Sequence, residues 1–157
     1  MTVRVTAILG LDLGTRRIGV AIAEAGDLAA RPLTTIPRPA DDPGRELATL
    51  AALARRHDVT ELVVGLPLEA AGAEGPMAVA ARAWAEAVGQ ALGLPVTLRD
   101  ERLSSHLAES RLGHMPRGRS GGPPSRTQRE RYRERVDREA AAVILQDELD
   151  ARRSAGR

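Results

Sequence analysis

Three carboxylates stand at places where an acid can do chemistry. Asp12 lies in Val5-Thr-Ala-Ile-Leu-Gly-Leu-Asp-Leu-Gly-Thr-Arg-Arg-Ile-Gly-Val-Ala-Ile-Ala-Glu24, in an apolar run that carries one carboxylate. A lone acid in a strand that otherwise reads as buried needs a partner or a cation. Glu101, with Asp100 beside it, follows the last apolar strand, and Asp137 stands at the start of the last helix. In a mixed α/β sheet, strand ends and helix N-termini converge on one rim. Carboxylates gathered there repel and raise one another's pKa. A divalent cation removes that conflict, and an all-oxygen donor set suits Mg²⁺ or Mn²⁺. Two such ions, about 3.5–4 Å apart, can activate a water and stabilise the leaving oxygen in phosphodiester cleavage.

Each acid also has a plainer reading. Asp137 alone reads as a helix N-cap or as a first-turn anion serving the dipole. Asp100-Glu101-Arg102 alone could be a solvated, self-paired turn. Asp12 has the weakest such alternative, because buried strands rarely hold an unpaired acid. The histidines 57, 106 and 114 are scattered, and no Gly-x-Ser-x-Gly elbow appears. His106, close in sequence to Glu101, and Asp100 remain secondary site candidates. There is no P-loop, GxGxxG or His-Glu-x-x-His. The absence of cysteine excludes a thiolate metal site and a Cys nucleophile, and it fits a cytoplasmic protein. The start of the chain is strand-like rather than signal-like, and no apolar run approaches a membrane span, so no membrane partner is expected.

The elements that must position these acids follow from periodicity and punctuation. Residues 6–13, 18–24 and 28–36 read as three strands, with Gly26-Asp27 as a hairpin turn and Pro32 placing the third at an edge. A helix over 45–57 carries Leu47, Leu50, Ala51 and Ala54 at helical spacing. Residues 61–66 form a buried parallel strand stopped by Pro67. A helix over 76–92 ends at Gly93. A strand over 95–98, a short helix over 103–112 with Ser104 as its N-cap, and a last helix from 130 or 136 to 150 complete the order. This predicts a mixed five-stranded α/β sheet, its first three strands antiparallel, with helices on both faces. At 157 residues one domain over 1–150 is expected, with 151–157 as a disordered tail.

Charge is distributed unevenly. Residues 111–138 hold nine arginines against three acids, whereas the whole chain is only +2 and contains no lysine. A basic segment on a near-neutral body suits a polyanionic partner, although an arginine-biased composition gives the same pattern. With Trp84, Tyr132 and no Phe, base stacking cannot be the main mode of binding. Nucleic acid, if bound, is held by backbone charge and shape.

Asp12-Leu13-Gly14-Thr15 resembles the first phosphate-binding turn of the superfamily that holds actin, heat-shock ATPases and sugar kinases. That fold needs two such domains and a second, similar turn. This chain is too short and lacks the second turn, so it reads as a single domain of the same ribonuclease-H-like type.

Four blocks in order then resemble the YqgF/RuvX-type family of RuvC-like nucleases. They are Leu9-Gly-Leu-Asp-Leu-Gly-Thr-Arg-Arg-Ile-Gly-Val-Ala21, Leu62-Val-Val-Gly-Leu-Pro-Leu68, Asp100-Glu-Arg-Leu-Ser-Ser105 and Val136-Asp-Arg-Glu-Ala-Ala-Ala-Val-Ile-Leu145. The resemblance implies a ribonuclease-H-like fold and acidic metal ligands at Asp12, Glu101 and Asp137, the acids already chosen by position. One departure stands out. Where the family carries Asn and an Asp-Gly pair, this chain reads Glu69-Ala-Ala-Gly-Ala-Glu-Gly75, so the amide is lost and Glu69 is a possible rim acid or a loop residue.

The first reading is therefore a metal-dependent endonuclease with one or two Mg²⁺ or Mn²⁺. Its substrate class is precursor 16S rRNA or a Holliday junction. Thr15, Arg16, Arg17, Arg102, Ser104, Arg117 and Arg119 are its expected nucleic-acid contacts. The second reading is a non-catalytic nucleic-acid-binding or ribosome-assembly factor on the same fold. Nucleotide binding at the Asp12 turn ranks third. A resolvase would pair as a homodimer, and the alanine-rich helix around Trp84 is a candidate face; a monomer fits the sequence equally.

Overall fold

The computed structural model describes residues 4–27, 29–69, 71–101 and 104–156. Arg102, expected at a phosphate, and the expected starts of the third strand (28) and of the short helix (103) lie outside the described residues. The elements run β1 (Ala7–Leu13), β2 (Arg17–Glu24), β3 (Arg31–Pro37), α1 (Gly44–Arg56), β4 (Val59–Leu66), α2 (Pro76–Leu92), β5 (Val96–Asp100), α3 (Ser104–Leu112) and α4 (Arg126–Ala155). All five strands share one sheet of order β3-β2-β1-β4-β5. The first three are antiparallel, while β4 lies parallel to β1 and β5. Pro32 falls in β3 at the sheet edge, where its missing N–H leaves no ladder bond unmade.

Alternation along the strands makes two unlike faces. Leu9 and Leu11 of β1 stand beside Ile22 and Val20 of β2 and beside Leu62 and Val64 of β4. All six are fully buried, in a core completed by Leu50 of α1 and by Ala85 and Val88 of α2. The other face carries small residues: Gly10 and Asp12 of β1 pair with Ala21 and Gly19 of β2. Here α4 crosses the sheet and answers with Ala141, Ala142, Ile144 and Leu145. Gly19 shows how close that crossing is. A Cβ on it would stand 2.0 Å from the Asp137 carbonyl oxygen, inside the helix backbone. The sheet has been stripped of side chains where α4 must come near, and α4 brings Asp137 with it.

Three expectations change. The last helix begins at Arg126, well before Val136. Its first turns are held by a capping box, in which Ser125 Oγ accepts from the Gln128 N–H at 3.2 Å and Gln128 Oε1 accepts from the Ser125 N–H at 2.8 Å. The helix also continues to Ala155, so most of the expected tail is ordered. Arg152 ties it down, donating to Glu148 at 2.8 Å and to both oxygens of Glu61 in β4. Ser104 is the first residue of α3 rather than its cap; its hydroxyl donates to the Glu101 carbonyl at 2.9 Å. Trp84 is half-buried against the main core, and its indole N–H donates to Glu46 Oε1 at 3.0 Å, so the ring is used within the chain. Among the described residues no helix is long and apolar enough to cross a membrane.

Candidate nuclease site

Asp12, Glu101 and Asp137 reach one place by three routes. Asp12 shares its β1 face with Gly10, under α4, and its strand partner is Gly19. Asp137 sits on α4 directly over that glycine. Glu101 follows β5; its N–H donates to the Leu66 carbonyl at 3.2 Å, and its carbonyl accepts from the Ser104 N–H at 3.0 Å. Gly65, near the end of β4, leaves the space its carboxyl fills: a Cβ there would lie 2.5 Å from Glu101 Oε2. Glu101 thus meets Asp12 in a side-chain hydrogen bond.

That bond requires a proton. Burial pushes the Glu101 carboxyl up to about 10, with the Asp12 charge, the bond to Asp12 and the Asp100 charge adding to it. Burial also raises Asp12, and the Asp137 charge adds to that, while the hydrogen bond from Glu101 pulls it down. Both carboxyls are raised overall, so the pair resists ionising twice. With Glu101 raised to about 10, the pair keeps a proton near neutral pH where a second charge would otherwise stand. Asp137 is raised by its burial, against which Arg17 works.

Arg17 is committed inward. Its Nε donates to Asp137 Oδ2 at 2.5 Å and its Nη1 to Glu130 Oε1 at 2.9 Å, with only 15% of the side chain exposed. It lies on the same β2 face as Gly19, under α4, which explains why an expected phosphate contact becomes an internal pair. Asp137 is therefore beside the Asp12–Glu101 pair but held by an arginine. Among the described residues no three acids or histidines stand together as a ready metal cage. The donor set still fits a hard divalent cation. Two of its carboxyls already touch and both are raised by burial, so a cation between them would let both ionise. Asp12, Glu101 and, on exchange of its Arg17 contact, Asp137 could hold such an ion.

The other expected contacts scatter. Thr15 and Arg16 are exposed on the β1–β2 turn. Asp100 is exposed at the end of β5, and its charge bears on Glu101. Ser104 is buried, its hydroxyl spent on the Glu101 backbone. Arg117 and Arg119 are exposed on the loop before α4, pinned where Gln128 Nε2 donates to the Arg117 carbonyl at 3.0 Å. His106 lines a different pocket, with Glu109, His114 and Tyr132. Glu69 is a loop residue: its backbone closes the turn with Gly72 and Ala73 and its carboxylate lies against Gly75.

The sequence reading missed an open groove of about 740 Å³ beside the β1–β2 turn, lined by Arg16 with Arg126, Arg129, Arg131 and Arg133 of α4. A second groove continues from Arg16 and Arg17 to Thr35 and Arg138. The signal for it was present in the arginine count, but the spacing became informative only once Ser125 and Gln128 marked the helix start.

The chain matches the family model described as "RuvX: Holliday junction resolvase" over residues 6–151. A relative from Chloroflexus aggregans, named "Putative pre-16S rRNA nuclease", is 44% identical over 147 residues, covering 94% of this chain and 95% of its own. One of the same name from Anaeromyxobacter dehalogenans is 49% identical over 144 residues, covering 92% and 96%. Among solved structures, that of Thermus thermophilus RuvC superposes with a TM-score of 0.50 at 16% identity, over 94% of this chain and 96% of its own, a likeness of fold. With its ribonuclease-H-like sheet and nearly its whole length matched, the chain belongs to the RuvX family of RuvC-like nucleases.

Proposed function

We propose that this chain is a metal-dependent endonuclease that hydrolyses phosphodiester bonds in structured nucleic acid. The observation that carries the reading is the hydrogen-bonded Asp12–Glu101 pair with Asp137 beside it, linked through Arg17, which bonds both Asp137 and Glu130, to the arginine-lined grooves. A bound Mg²⁺ or Mn²⁺, one ion or two, would lower the pKa of a water and stabilise charge on the departing oxygen. Asp12, Glu101 and Asp137 would hold it. Glu101 must give up its proton before it can ligate, and burial keeps that proton on until a cation competes for the site. Arg17 keeps Asp137 and Glu130 neutralised meanwhile. Arg16, Arg126, Arg129 and Arg133 hold backbone phosphates in the groove and so set where the strand lies. The scarcity of aromatic residues leaves charge and shape as the means of recognition.

The relatives' name supports precursor 16S rRNA as substrate, and the family description supports a four-way DNA junction. Cleavage of both, side by side in Mg²⁺ and in Mn²⁺, separates them. Asp12→Asn should abolish cutting of the true substrate by at least about a hundredfold while leaving nucleic-acid affinity within a few-fold. Cleavage by Asp12→Asn at the parent rate would overturn the site. Tight binding with no cleavage by the parent under any of these conditions would favour the non-catalytic reading.

A further inference from the structure

Gly14, two residues beyond Asp12, is held by the residue that follows the neighbouring β3 strand. Arg38 follows β3, and its backbone N–H donates to the Arg16 carbonyl at 2.8 Å. Its guanidinium forks: Nη1 donates to the Gly14 carbonyl at 2.5 Å and Nε to Glu46 Oε2 at 2.6 Å. Glu46 lies in the first turn of α1 with only 9% of its surface exposed. Its other oxygen accepts from Trp84 Nε1 in α2 at 3.0 Å. The turn itself is closed by the Gly14 N–H donating to the Arg17 carbonyl at 2.9 Å.

We propose that Arg38 and Glu46 are positioning residues for the nuclease site: a relay, Trp84–Glu46–Arg38, centred on the buried Glu46, that fixes the backbone of the turn joining Asp12 to Arg16 and Arg17. Three facts carry this. A buried carboxylate is costly unless every oxygen is satisfied, and both oxygens of Glu46 are taken, one by the indole and one by the guanidinium. Nη1 of the same guanidinium is spent on one backbone carbonyl, that of Gly14. A guanidinium presents Nε and Nη as a rigid fork, so fixing one end against Glu46 aims the other. The relay begins on the helical face opposite α4 and ends at the strand that carries Asp12. It therefore ties the α1–α2 layer to the turn that follows Asp12. Small misplacement of a reacting group costs rate steeply, which gives such an anchor its use. Neither residue touches substrate or metal; both act through the turn.

The inference rests on the nuclease reading for its kinetic arm but not for its structural one. Arg38→Lys keeps the charge against Glu46 but replaces the fork with a point, and Glu46→Gln keeps the size but weakens the grip on Arg38. Leu53→Ala, in α1 and packed on the main core, serves as the control that costs stability alone. Amide hydrogen exchange by mass spectrometry would follow residues 13–17 relative to the rest of β1. Both relay variants should speed exchange of the turn by about tenfold, with the strand unchanged and the fold retained. Both should lower kcat by about tenfold with KM within twofold, as for an interaction that matters to the reacting geometry rather than to binding. Leu53→Ala should lower the thermal midpoint and leave turn exchange and kcat alone. If Arg38→Lys and Glu46→Gln behave like Leu53→Ala, the relay is merely structural and the inference falls. If the parent itself does not cleave, the nuclease reading falls, and the exchange measurement still decides the relay.

Discussion

Removing the ionisable proton from the buried pair should make the metal-free protein more stable. Glu101 is held up at about 10 in the folded chain, against 4.5 for an ordinary glutamate. A carboxyl raised in this way keeps its proton in the native state after the unfolded chain has lost it. Its contribution is therefore full below about pH 4.5, falls as pH rises through neutrality, and is exhausted near pH 10. Each pH unit in that window is worth at most about 1.4 kcal/mol. From pH 5.5 to 8.5 the parent in chelator should thus lose about 2–4 kcal/mol, or roughly 5–15 °C in midpoint for a domain of this size.

Glu101→Gln keeps the shape and a donor toward Asp12 but has nothing to ionise. In chelator at pH 8.5 it should melt above the parent, and its midpoint should change less with pH. Adding Mg²⁺ or Mn²⁺ should reverse the ranking. The parent gains about 2.7 kcal/mol at a hundredfold excess over its dissociation constant, whereas the variant, lacking a ligand, gains little. Scanning calorimetry across pH, with chelator and with metal, reads all four conditions. The reasoning is refuted if Glu101→Gln is less stable than the parent in chelator at every pH and shows the same slope.

Two further outcomes follow from the crossing of α4. Gly19→Ala should destabilise by about 2–4 kcal/mol in denaturant melts, because its Cβ would overlap the Asp137 carbonyl and backbone cannot give way as a side chain can. In whatever folds, metal affinity should fall too, since displacing α4 moves Asp137. Ser125→Ala should cost about 1 kcal/mol through loss of the capping box. It should also fray the turns that carry Arg126 and Arg129, so nucleic-acid affinity should drop and its dependence on salt become shallower.

What could be read from the sequence was what local chemistry announces. The Asp12 strand pair, the edge strand with Pro32 and the α2 stop at Gly93 each carry their signal within a few residues. Asp12 could be chosen because a charge in an otherwise apolar strand has few uses; Glu101 and Asp137 could be chosen only by position, and α4 begins at Arg126, so Asp137 lies within the helix and not at its start. The first half of α4 was hidden because Arg126 to Arg135 shows no apolar stripe: its arginines face the groove, and it meets the sheet through polar contacts, Thr35 Oγ1 donating to the Glu134 carbonyl and Arg17 to Glu130. Ser125 and Gln128 did announce its start, at the capping-box spacing, and that is the signal passed over. Arg17 was misplaced for a different reason. An arginine beside a glycine turn suggests phosphate, and only the β2 register shows that its side chain runs under α4 to Asp137. Arg38 and Glu46 could not have been paired with the Asp12 turn at all, since one lies in a proline-rich connector, the other in an amphipathic helix, and nothing local in either points to Gly14.

The same helix crossing explains why the site and the fold are hard to change separately. Asp137 and the groove arginines ride on α4, and α4 is seated by small residues of β1, β2 and β4. Gly65 and Gly19 admit, respectively, a carboxyl and a helix backbone. An alanine at either place adds apolar area where a sheet face normally wants it, yet it would expel Glu101 or lift Asp137. The sheet therefore gives up packing on this face so that two acids can come within reach of Asp12. Burial then raises all three carboxyls, which opposes the ionised state a metal needs. A divalent cation would turn this opposition into affinity, because it would replace the proton with charge that all three acids can use. Stability without metal, metal affinity and pH response should consequently move together in any variant that alters the seating of α4.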